Sequence, residues 1–187
     1  MALVSKRTPM MWMAWTVLFL LTNTLHGCDT PAAPPTLGGT TAVTVAGKKF
    51  TVDVAADDAV RMKGMGGRTS IAEDGGMIFV FPPSQSRIMG FVMRDCPIDI
   101  DILYLDGAGR VLSFYEMKKE DPRNADGTEG KDGDMGNAKY EGRLKQYSSR
   151  FRCTFAVELR AGSIAKLGVK EGDLLTFDVD GLKRIAK

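Results

Sequence analysis

Short runs in which apolar and polar residues alternate are the feature that most constrains how this 187-residue chain can fold. Residues 41–46 (TAVTVA) and 49–55 (KFTVDVA) flank a Gly47-Lys48 turn. Alternation with a period of two places successive side chains on opposite faces of a β-strand, so this stretch is predicted to be a β-hairpin. Short apolar runs predict further strands at residues 76–81, 88–94, 98–105, 110–117, 151–159 and 173–179.

Helical signals are few and local. Asp57 or Asp58 is a suitable N-cap for a short helix over residues 59–65. A second short helix is predicted at residues 163–167, where Gly168 can end it. Helices therefore contribute little to the predicted fold.

A strong turn signal, Asp-Gly-Ala-Gly at residues 106–109, separates two apolar runs. Residues 98–105 and 110–117 are therefore expected to pair as an antiparallel hairpin. Many short strands with one or two short helices predict a mainly β protein, folded as a compact antiparallel sandwich or barrel.

The N-terminus has the three-part layout of an export signal. A basic pair, Lys6 and Arg7, precedes an apolar stretch at residues 10–21 and a polar region that ends at Cys28. The apolar stretch is about a dozen residues long, whereas a permanent membrane-spanning helix needs roughly 20. Residues 1–27 are therefore predicted to be a signal peptide that is removed.

The residues just before Cys28 resemble the lipobox of bacterial lipoproteins. That resemblance implies that the Cys28 thiol is acylated and becomes the first residue of a membrane-anchored protein. His26 departs from the small residue usual at its position, and the alternatives are an uncleaved anchor or simple secretion. The chain is thus expected at the bacterial cell envelope, with the inner or outer membrane left open.

The remaining chain divides into a tether and one domain. Residues 28–40 are rich in proline and glycine and lack apolar periodicity, as expected of a flexible tether. Residues 41–187 have the length of a single domain. Within it, residues 120–139 are acidic, glycine-rich and aperiodic, and are predicted to be a mobile insertion.

The composition excludes several classes of function. The chain has 25 Lys and Arg against 23 Asp and Glu, and loss of Lys6 and Arg7 with the signal balances them at 23 each. Such a balance provides no basic field to gather nucleic acid. The single histidine, His26, also lies in the predicted signal, which excludes histidine-dependent triads and zinc helices. No metal and no cofactor are expected, since the acidic insertion lacks the spacing of a calcium loop.

Cys96 and Cys153 are the two cysteines that remain when Cys28 is acylated. An even number in an oxidising compartment allows a disulfide between them. The alternative is two separate buried thiols that pack as small apolar side chains. The sequence leaves both possibilities open, and the absence of a CxxC motif excludes a thioredoxin-like role.

Ordered motifs run through the chain: GMGGR (residues 64–68), DGGMIFVF (74–81), FVMRDCPIDIDILYLD (91–106), YSSR (147–150) and LGVKEGD (167–173). In this order they resemble DUF192, a bacterial and archaeal family with a domain of unknown function, over residues 41–180. Arg68, Met93 and Asp101 match the family's pattern, whereas Val92 stands where the family has tryptophan. The resemblance implies a compact β-rich fold and supplies no established activity.

The stretch IDIDI at residues 98–102 is the main candidate for a binding face. Its isoleucines are expected to face the core, which turns Asp99 and Asp101 to the opposite surface. Two neighbouring carboxylates repel unless a cation, a proton or an arginine intervenes, and Arg68 and Arg94 are the candidate counter-charges. One interpretation is a structural Arg68–Asp101 salt bridge, and the other is a shallow ligand site. The candidate binding face comprises Arg68, Met93, Asp95, Asp99 and Asp101.

Non-covalent binding of a small ligand or a protein partner at a lipid surface is the function that these features favour. The alternative is a carboxylate-dependent hydrolase, which needs only two acids. Its candidate acids are Glu116, Glu158 and the pair Asp99 and Asp101. A structural envelope protein is the third hypothesis. No catalytic residue is assigned, and nucleic acid is not an expected partner.

Overall fold

The computed structural model describes residues 38–187. The predicted signal peptide, residues 1–27, and residues 28–37 of the predicted tether lie outside the described residues. In chain order, the elements are β1 (Thr40–Val45), β2 (Lys48–Ala55), α1 (Asp58–Lys63), β3 (Gly75–Val80), β4 (Arg87–Phe91), β5 (Ile100–Leu105), β6 (Val111–Met117), α2 (Ala138–Arg143), β7 (Tyr147–Cys153), β8 (Phe155–Arg160), α3 (Ser163–Leu167) and α4 (Val179–Ile185).

The strands form two sheets. Six of them lie in the order β1-β2-β3-β8-β5-β6, and β4 pairs with β7 in a two-stranded sheet that we call the ribbon. Strands β2 and β3 are parallel, because the chain crosses over through α1 between them, and the other pairs are antiparallel. The predicted mainly β class is confirmed. The sheets do not close into a barrel, so that alternative was wrong.

Both faces of the six-stranded sheet are covered. One face packs against α3 and α4, which contribute the buried side chains of Ile164 and Leu182, and we call it the helix face. The opposite face packs against the ribbon, which contributes Met89 and Tyr147, and we call it the ribbon face. Central strands buried on both sides need apolar residues at nearly every position. This explains why β5 has no exposed residue.

Several local predictions are confirmed. Strands β1 and β2 form the predicted hairpin, and so do β5 and β6. Helix α1 begins after Asp57, whose carboxylate accepts a hydrogen bond from the backbone N–H of Val60 at 3.0 Å. Helix α3 has the predicted bounds and ends at Gly168.

The single strand predicted at residues 151–159 was wrong, because the chain changes sheets at Thr154. Strand β7 ends at Cys153 in the ribbon, and β8 begins at Phe155 in the six-stranded sheet. The backbone N–H of Thr154 donates to the carbonyl of Leu105, and its carbonyl accepts from the N–H of Phe81. The apolar pattern continues through this junction, which hides it in the sequence.

The strand predicted at residues 173–179 was also wrong. Only isolated bridges form there, from Leu174 to Arg110 and from Thr176 to Thr44. The chain then enters α4, which is capped by the Asp178 carboxylate. With α2 and α4 added, the described residues contain four short α-helices instead of one or two, besides a 3-10 turn at Pro83–Gln85. None of the helices within residues 38–187 is long and apolar enough to cross a membrane.

Residues 120–136 have no helix or strand, as their aperiodic composition predicted. Their side chains nevertheless hold them to the domain. Glu129 is 2% exposed and binds Arg143 through both carboxylate oxygens. The Arg123 side chain is 4% exposed and stacks 3.8 Å from the centre of the Tyr140 ring. The mobility of this segment stays a prediction, and these contacts oppose it.

Candidate functional site

Two of the central motifs meet over the ribbon face. The turn at residues 64–68, which follows α1, contacts the segment at residues 93–98, which precedes β5. The backbone N–H of Gly67 donates to the carbonyl of Asp95 at 2.9 Å. Met65 and Met93 are 3% and 2% exposed and join the apolar cluster beneath. The two motifs therefore cover the same part of the sheet.

A row of register partners crosses the sheet beneath these motifs. Asp53 on β2 lies opposite Met77 on β3, which lies opposite Glu158 on β8. Glu158 in turn lies opposite Ile102 on β5. Register partners project from the same face, so both Asp53 and Glu158 point to the ribbon face. Two strand spacings, about 10 Å, separate their backbones.

Glu158 is a buried acid without a partner for one of its oxygens. The residue is 5% exposed, and within the described residues its Oε2 atom accepts no hydrogen bond. Burial raises the pKa of Glu158 to about 8, and the positive charge of Arg68 acts in the opposite direction. At neutral pH the carboxyl group is therefore mostly protonated and can donate a hydrogen bond.

Arg68 links this buried acid to the surface. Its Nη2 atom donates to Oδ2 of Asp53 at 2.5 Å, and the two side chains are 39% and 43% exposed. The remaining N–H groups of the guanidinium have no protein acceptor among residues 38–187, so they can serve a ligand. We call Glu158, Arg68 and Asp53 the Glu158 site.

Cys96 lies beside the Glu158 site and is 6% exposed. Burial raises the pKa of its thiol, and the negative charges of Glu158 and Asp99 raise it further. A thiol that keeps its proton is a poor nucleophile. Cys96 is therefore a packing residue in this position.

Cys96 and Cys153 are both free, buried thiols in the structure. The disulfide considered from the sequence is thus not formed, and the alternative of two separate thiols holds. Burial also raises the pKa of Cys153, which lies on the inner side of the ribbon.

Asp101 lies on the other face of the sheet from Arg68. It is fully buried, and its Oδ2 atom accepts a hydrogen bond from the N–H of Ile164 at the start of α3, at 2.7 Å. Burial raises its pKa, although this hydrogen bond acts to lower it. The predicted Arg68–Asp101 salt bridge was wrong, and so was the exposed position, because α3 covers the surface to which alternation turns Asp101.

Asp99 precedes β5 and is bound to the end of β6. Its carboxylate accepts from the N–H of Lys119 at 2.9 Å and from Nζ of Lys118 at 3.1 Å. These two hydrogen bonds lower the pKa of Asp99. Asp99 and Asp101 therefore have different hydrogen-bond partners.

Asp95 binds the irregular segment at residues 120–136, and Arg94 binds helix α2. The Asp95 carboxylate accepts from Nε of Arg123 at 2.8 Å and from the N–H of Gly133 at 2.9 Å. Although burial acts to raise the pKa of Asp95, these two hydrogen bonds lower it. Arg94 donates to both oxygens of Glu141, at 2.6 and 2.7 Å. The predicted counter-charge role of Arg94 toward Asp99 and Asp101 was wrong.

The residues of the predicted binding face therefore do not lie together in the structure. Arg68 is the one member whose side chain belongs to the Glu158 site, Met93 is core, and the three aspartates have other partners. The sequence named Glu158 only as a candidate acid for hydrolysis. The signal that could have selected it is an acid inside the apolar run FAVELR, because a charged residue in a central strand has no solvated face.

The candidate acids of a hydrolase do not flank a common cleft. Asp101 and Glu116 are register partners and share the helix face, whereas Glu158 projects from the ribbon face. Glycoside hydrolysis needs an acid on either side of one bond. The described residues also contain no cluster of three or more Cys, Asp or Glu side chains placed to hold a metal ion.

A shallow groove of about 330 Å³ lies elsewhere, at the start of α3. Its lining carries Lys48 and Lys166, which are both paired with Glu73, and Arg160, which has no ion pair within the described residues. None of these charges is buried, whereas Oε2 of Glu158 is buried and has no partner. The Glu158 site is therefore the stronger candidate.

The fold and the site define a two-sheet, mainly β domain with a buried acid beneath two adjoining motifs. The chain belongs to the DUF192 family, described as "Uncharacterized ACR", whose model matches residues 41–177. No match was found among curated proteins.

Two solved structures share the fold. A "putative transcription regulator" from Sinorhizobium meliloti is 24% identical, with a TM-score of 0.57 over 79% of this chain and 98% of that chain. A protein of unknown function from Novosphingobium aromaticivorans is 21% identical, with a TM-score of 0.56 over 80% of this chain and 94% of that chain. At these identities the likeness establishes the fold alone.

Proposed function

We propose that this chain is a lipid-anchored protein of the bacterial cell envelope whose domain binds a small ligand without covalent chemistry. The signal-like residues 1–27 and the lipobox-like cysteine, Cys28, support the anchor. The Glu158 site supports the binding role. Its buried thiol, Cys96, is not activated, which favours binding over nucleophilic catalysis.

The observation that carries the binding role is the unpartnered Oε2 atom of Glu158. A buried polar group without a partner costs about 1–3 kcal/mol, which a ligand can recover by completing the hydrogen bond. A protonated Glu158 donates, and so do the unused N–H groups of Arg68. The charge of Arg68 acts on Glu158, and two donors that lie near each other fit an acceptor, so the ligand carries a carboxylate or a similar small anion.

The access is narrow, because Glu158 is only 5% exposed. The ligand therefore presents a single end group to Glu158 and Arg68, and its remainder lies outside, near Asp53. If the ligand carried a second negative charge close to its end group, the Asp53 carboxylate would repel that charge. Monocarboxylates are thus preferred over dicarboxylates with a short spacer.

The test is calorimetry and thermal shift of the full chain with a panel of short monocarboxylates. Arg68→Ala is expected to weaken binding at least about tenfold, as befits loss of a charged hydrogen-bond donor. Glu158→Leu has a similar effect, whereas Glu158→Gln keeps a donor and retains binding. Wild-type binding weakens above pH 8, where Glu158 loses its proton, and Glu158→Gln does not show this weakening.

Glu116→Gln, on the opposite face of the sheet, is the matched control and is expected to bind as the wild type does. The binding proposal fails if no monocarboxylate stabilises the wild-type chain. It also fails if Arg68→Ala and Glu116→Gln bind equally well.

A further inference from the structure

The outer side of the ribbon carries two large apolar side chains in solvent. Ile88 on β4 is 58% exposed, and Phe151 on β7 is 55% exposed. Ile88 lies opposite Arg152 in the register of the two strands, and Phe151 directly precedes Arg152. Ile88 and Phe151 are therefore exposed neighbours at the irregular part of the ribbon, where the register shifts between Ile88 and Gly90 and Arg150 has a positive φ.

The exposed surface of the ribbon is basic. Arg87, Arg150 and Arg152 are exposed, and neither β4 nor β7 contains an acidic residue. Arg150 is paired with Glu171 from outside the ribbon, and Arg152 donates to the carbonyl of Ser86. Apolar side chains surrounded by arginine are typical of surfaces that lie in the interface of an anionic membrane.

The ribbon cannot turn these side chains inward. Its inner side is filled by Met89, Tyr147 and Cys153, which belong to the ribbon-face core. Ser149 fixes the irregular part of the ribbon, because its hydroxyl accepts from the N–H of Met89 at 2.9 Å and donates to the carbonyl of Phe151 at 2.6 Å. Exposure of Phe151 is therefore built into the backbone.

The length of the tether permits this surface to reach a membrane. Residues 28–39 separate Cys28 from β1, and twelve residues span at most about 40 Å when fully extended. A domain of this size has a radius of gyration of about 15 Å. An anchor at Cys28 thus allows any side of the domain to face the bilayer, and the surface itself selects the orientation.

We propose that the ribbon docks on the anionic headgroup region of the bilayer to which Cys28 is anchored, with Ile88 and Phe151 inserted and the arginines among the phosphates. This inference rests on the lipid anchor of the proposed function. It gives the tethered domain a fixed orientation, which the anchor alone does not provide.

The test uses Phe151→Trp in the processed chain, which has no other tryptophan because Trp12 and Trp15 both lie in the predicted signal. The lipidated protein is reconstituted in vesicles of phosphatidylcholine with phosphatidylglycerol. Tryptophan emission is expected to shift to the blue and to be quenched by brominated phospholipid. Ile88→Trp is a second reporter on the ribbon and behaves alike.

Leu174→Trp is the matched control, because Leu174 is 57% exposed and lies outside the ribbon. Its emission is expected to be neither shifted nor quenched. Replacing Arg87 and Arg152 by Gln in the Phe151→Trp background is expected to reduce the quenching in anionic vesicles at least twofold, since the phosphates lose their partners.

Flotation of the vesicles separates the two proposals. Protein that floats while the Phe151→Trp and Leu174→Trp reporters are quenched equally overturns the docking inference and leaves the anchor intact. Protein that does not float overturns the anchor, and with it the docking inference. A Phe151→Trp signal that responds to a single-stranded oligonucleotide and not to vesicles also overturns docking, because it assigns the ribbon surface to nucleic acid.

Discussion

Two buried acids on neighbouring strands illustrate how differently the same residue type can be used. Asp101 on β5 and Glu158 on β8 point to opposite faces of the sheet, and burial raises the pKa of both. The N–H of Ile164 compensates Asp101, which therefore ties α3 to the sheet. Oδ1 of Asp101 and Oε2 of Glu158 both lack a partner within residues 38–187, but Asp101 holds α3 through its other oxygen, whereas no hydrogen bond from the described residues reaches the Glu158 carboxyl group. Asp101 is structural, and Glu158 is the acid with unused binding capacity.

The stability of the domain is expected to fall with pH because of Glu158. Its pKa is about 8 in the folded state against an ordinary value of 4.5, so the folded state retains the proton that the unfolded chain releases. The penalty is absent below pH 4.5, grows as pH rises, and is complete above pH 8. Glu158→Gln removes it and is expected to gain about 5 kcal/mol relative to wild type at pH 9 and almost nothing at pH 4.

Urea unfolding of both proteins from pH 4 to pH 9 measures this difference. Asp101 also has a raised pKa, but it is present in both proteins and cancels. Glu116→Gln, an exposed replacement of the same type, serves as the control and should follow the wild-type pH profile. Parallel profiles for Glu158→Gln and wild type would contradict the prediction.

At the scale of elements, the irregular segment at residues 120–136 depends on Arg123. Its guanidinium binds both oxygens of Asp95, at 2.8 and 3.0 Å, and the carbonyls of Glu129 and Asp134. Arg123→Ala removes all of these bonds and leaves the Asp95 carboxylate half-satisfied. Amide exchange across the segment is expected to accelerate at least about tenfold, as loss of charged hydrogen bonds implies.

Hydrogen exchange with mass spectrometry provides the measurement. Lys131→Ala is the control in the same segment, because Lys131 is exposed and should leave exchange unchanged. If the wild-type segment already exchanges as fast as an unfolded peptide, the contacts do not hold it. The mobile insertion predicted from the composition would then be correct.

The elements that sequence reasoning located are those whose signal is local. Two-residue alternation found β1 and β2, and the Asp57 cap found α1. The sequence pattern does not indicate the change of sheet at Thr154, because apolar residues recur in alternation on both sides of it. Helix α4 was missed because its N-terminal residues continue the apolar run of residues 173–179. Which sheet a strand joins depends on tertiary packing, and the periodicity of the sequence does not reveal it.

The candidate site was predicted in part for the same reason. The motifs that contain Arg68 and Met93 do meet in space, as their joint selection implied. The predicted partners of the two arginines were wrong, because Arg68 forms an ion pair with Asp53 on β2 and Arg94 forms one with Glu141 on α2. Both acids are distant in sequence, and only the sheet register and the packing of α2 bring them near. Alternation also placed Asp101 in solvent, since it cannot reveal that α3 covers that face.

At the scale of the whole molecule, both proposals lie on the ribbon side of the six-stranded sheet. The helix face is covered by α3 and α4, and its buried acid, Asp101, holds α3 in place. The ribbon side carries the Glu158 site, with the half-exposed pair Arg68 and Asp53, and the exposed side chains of Ile88 and Phe151. A domain held by its ribbon against a bilayer would keep a fixed distance between the Glu158 site and the lipid surface. The anchor at Cys28 is the condition for this arrangement.

That anchor has its own prediction. Expressed in bacteria, the wild-type chain is expected in the membrane fraction and in the detergent phase after Triton X-114 partition, with an N-terminal peptide that begins at an acylated Cys28. Cys28→Ala removes the thiol that accepts the lipid, so the precursor is expected to keep residues 1–27. Cys153→Ala, which removes a buried thiol of the domain, should leave acylation and partition unchanged. Mass spectrometry that finds Cys28 unmodified in the wild-type chain would refute the anchor, because simple secretion or an uncleaved signal would then account for the apolar N-terminus.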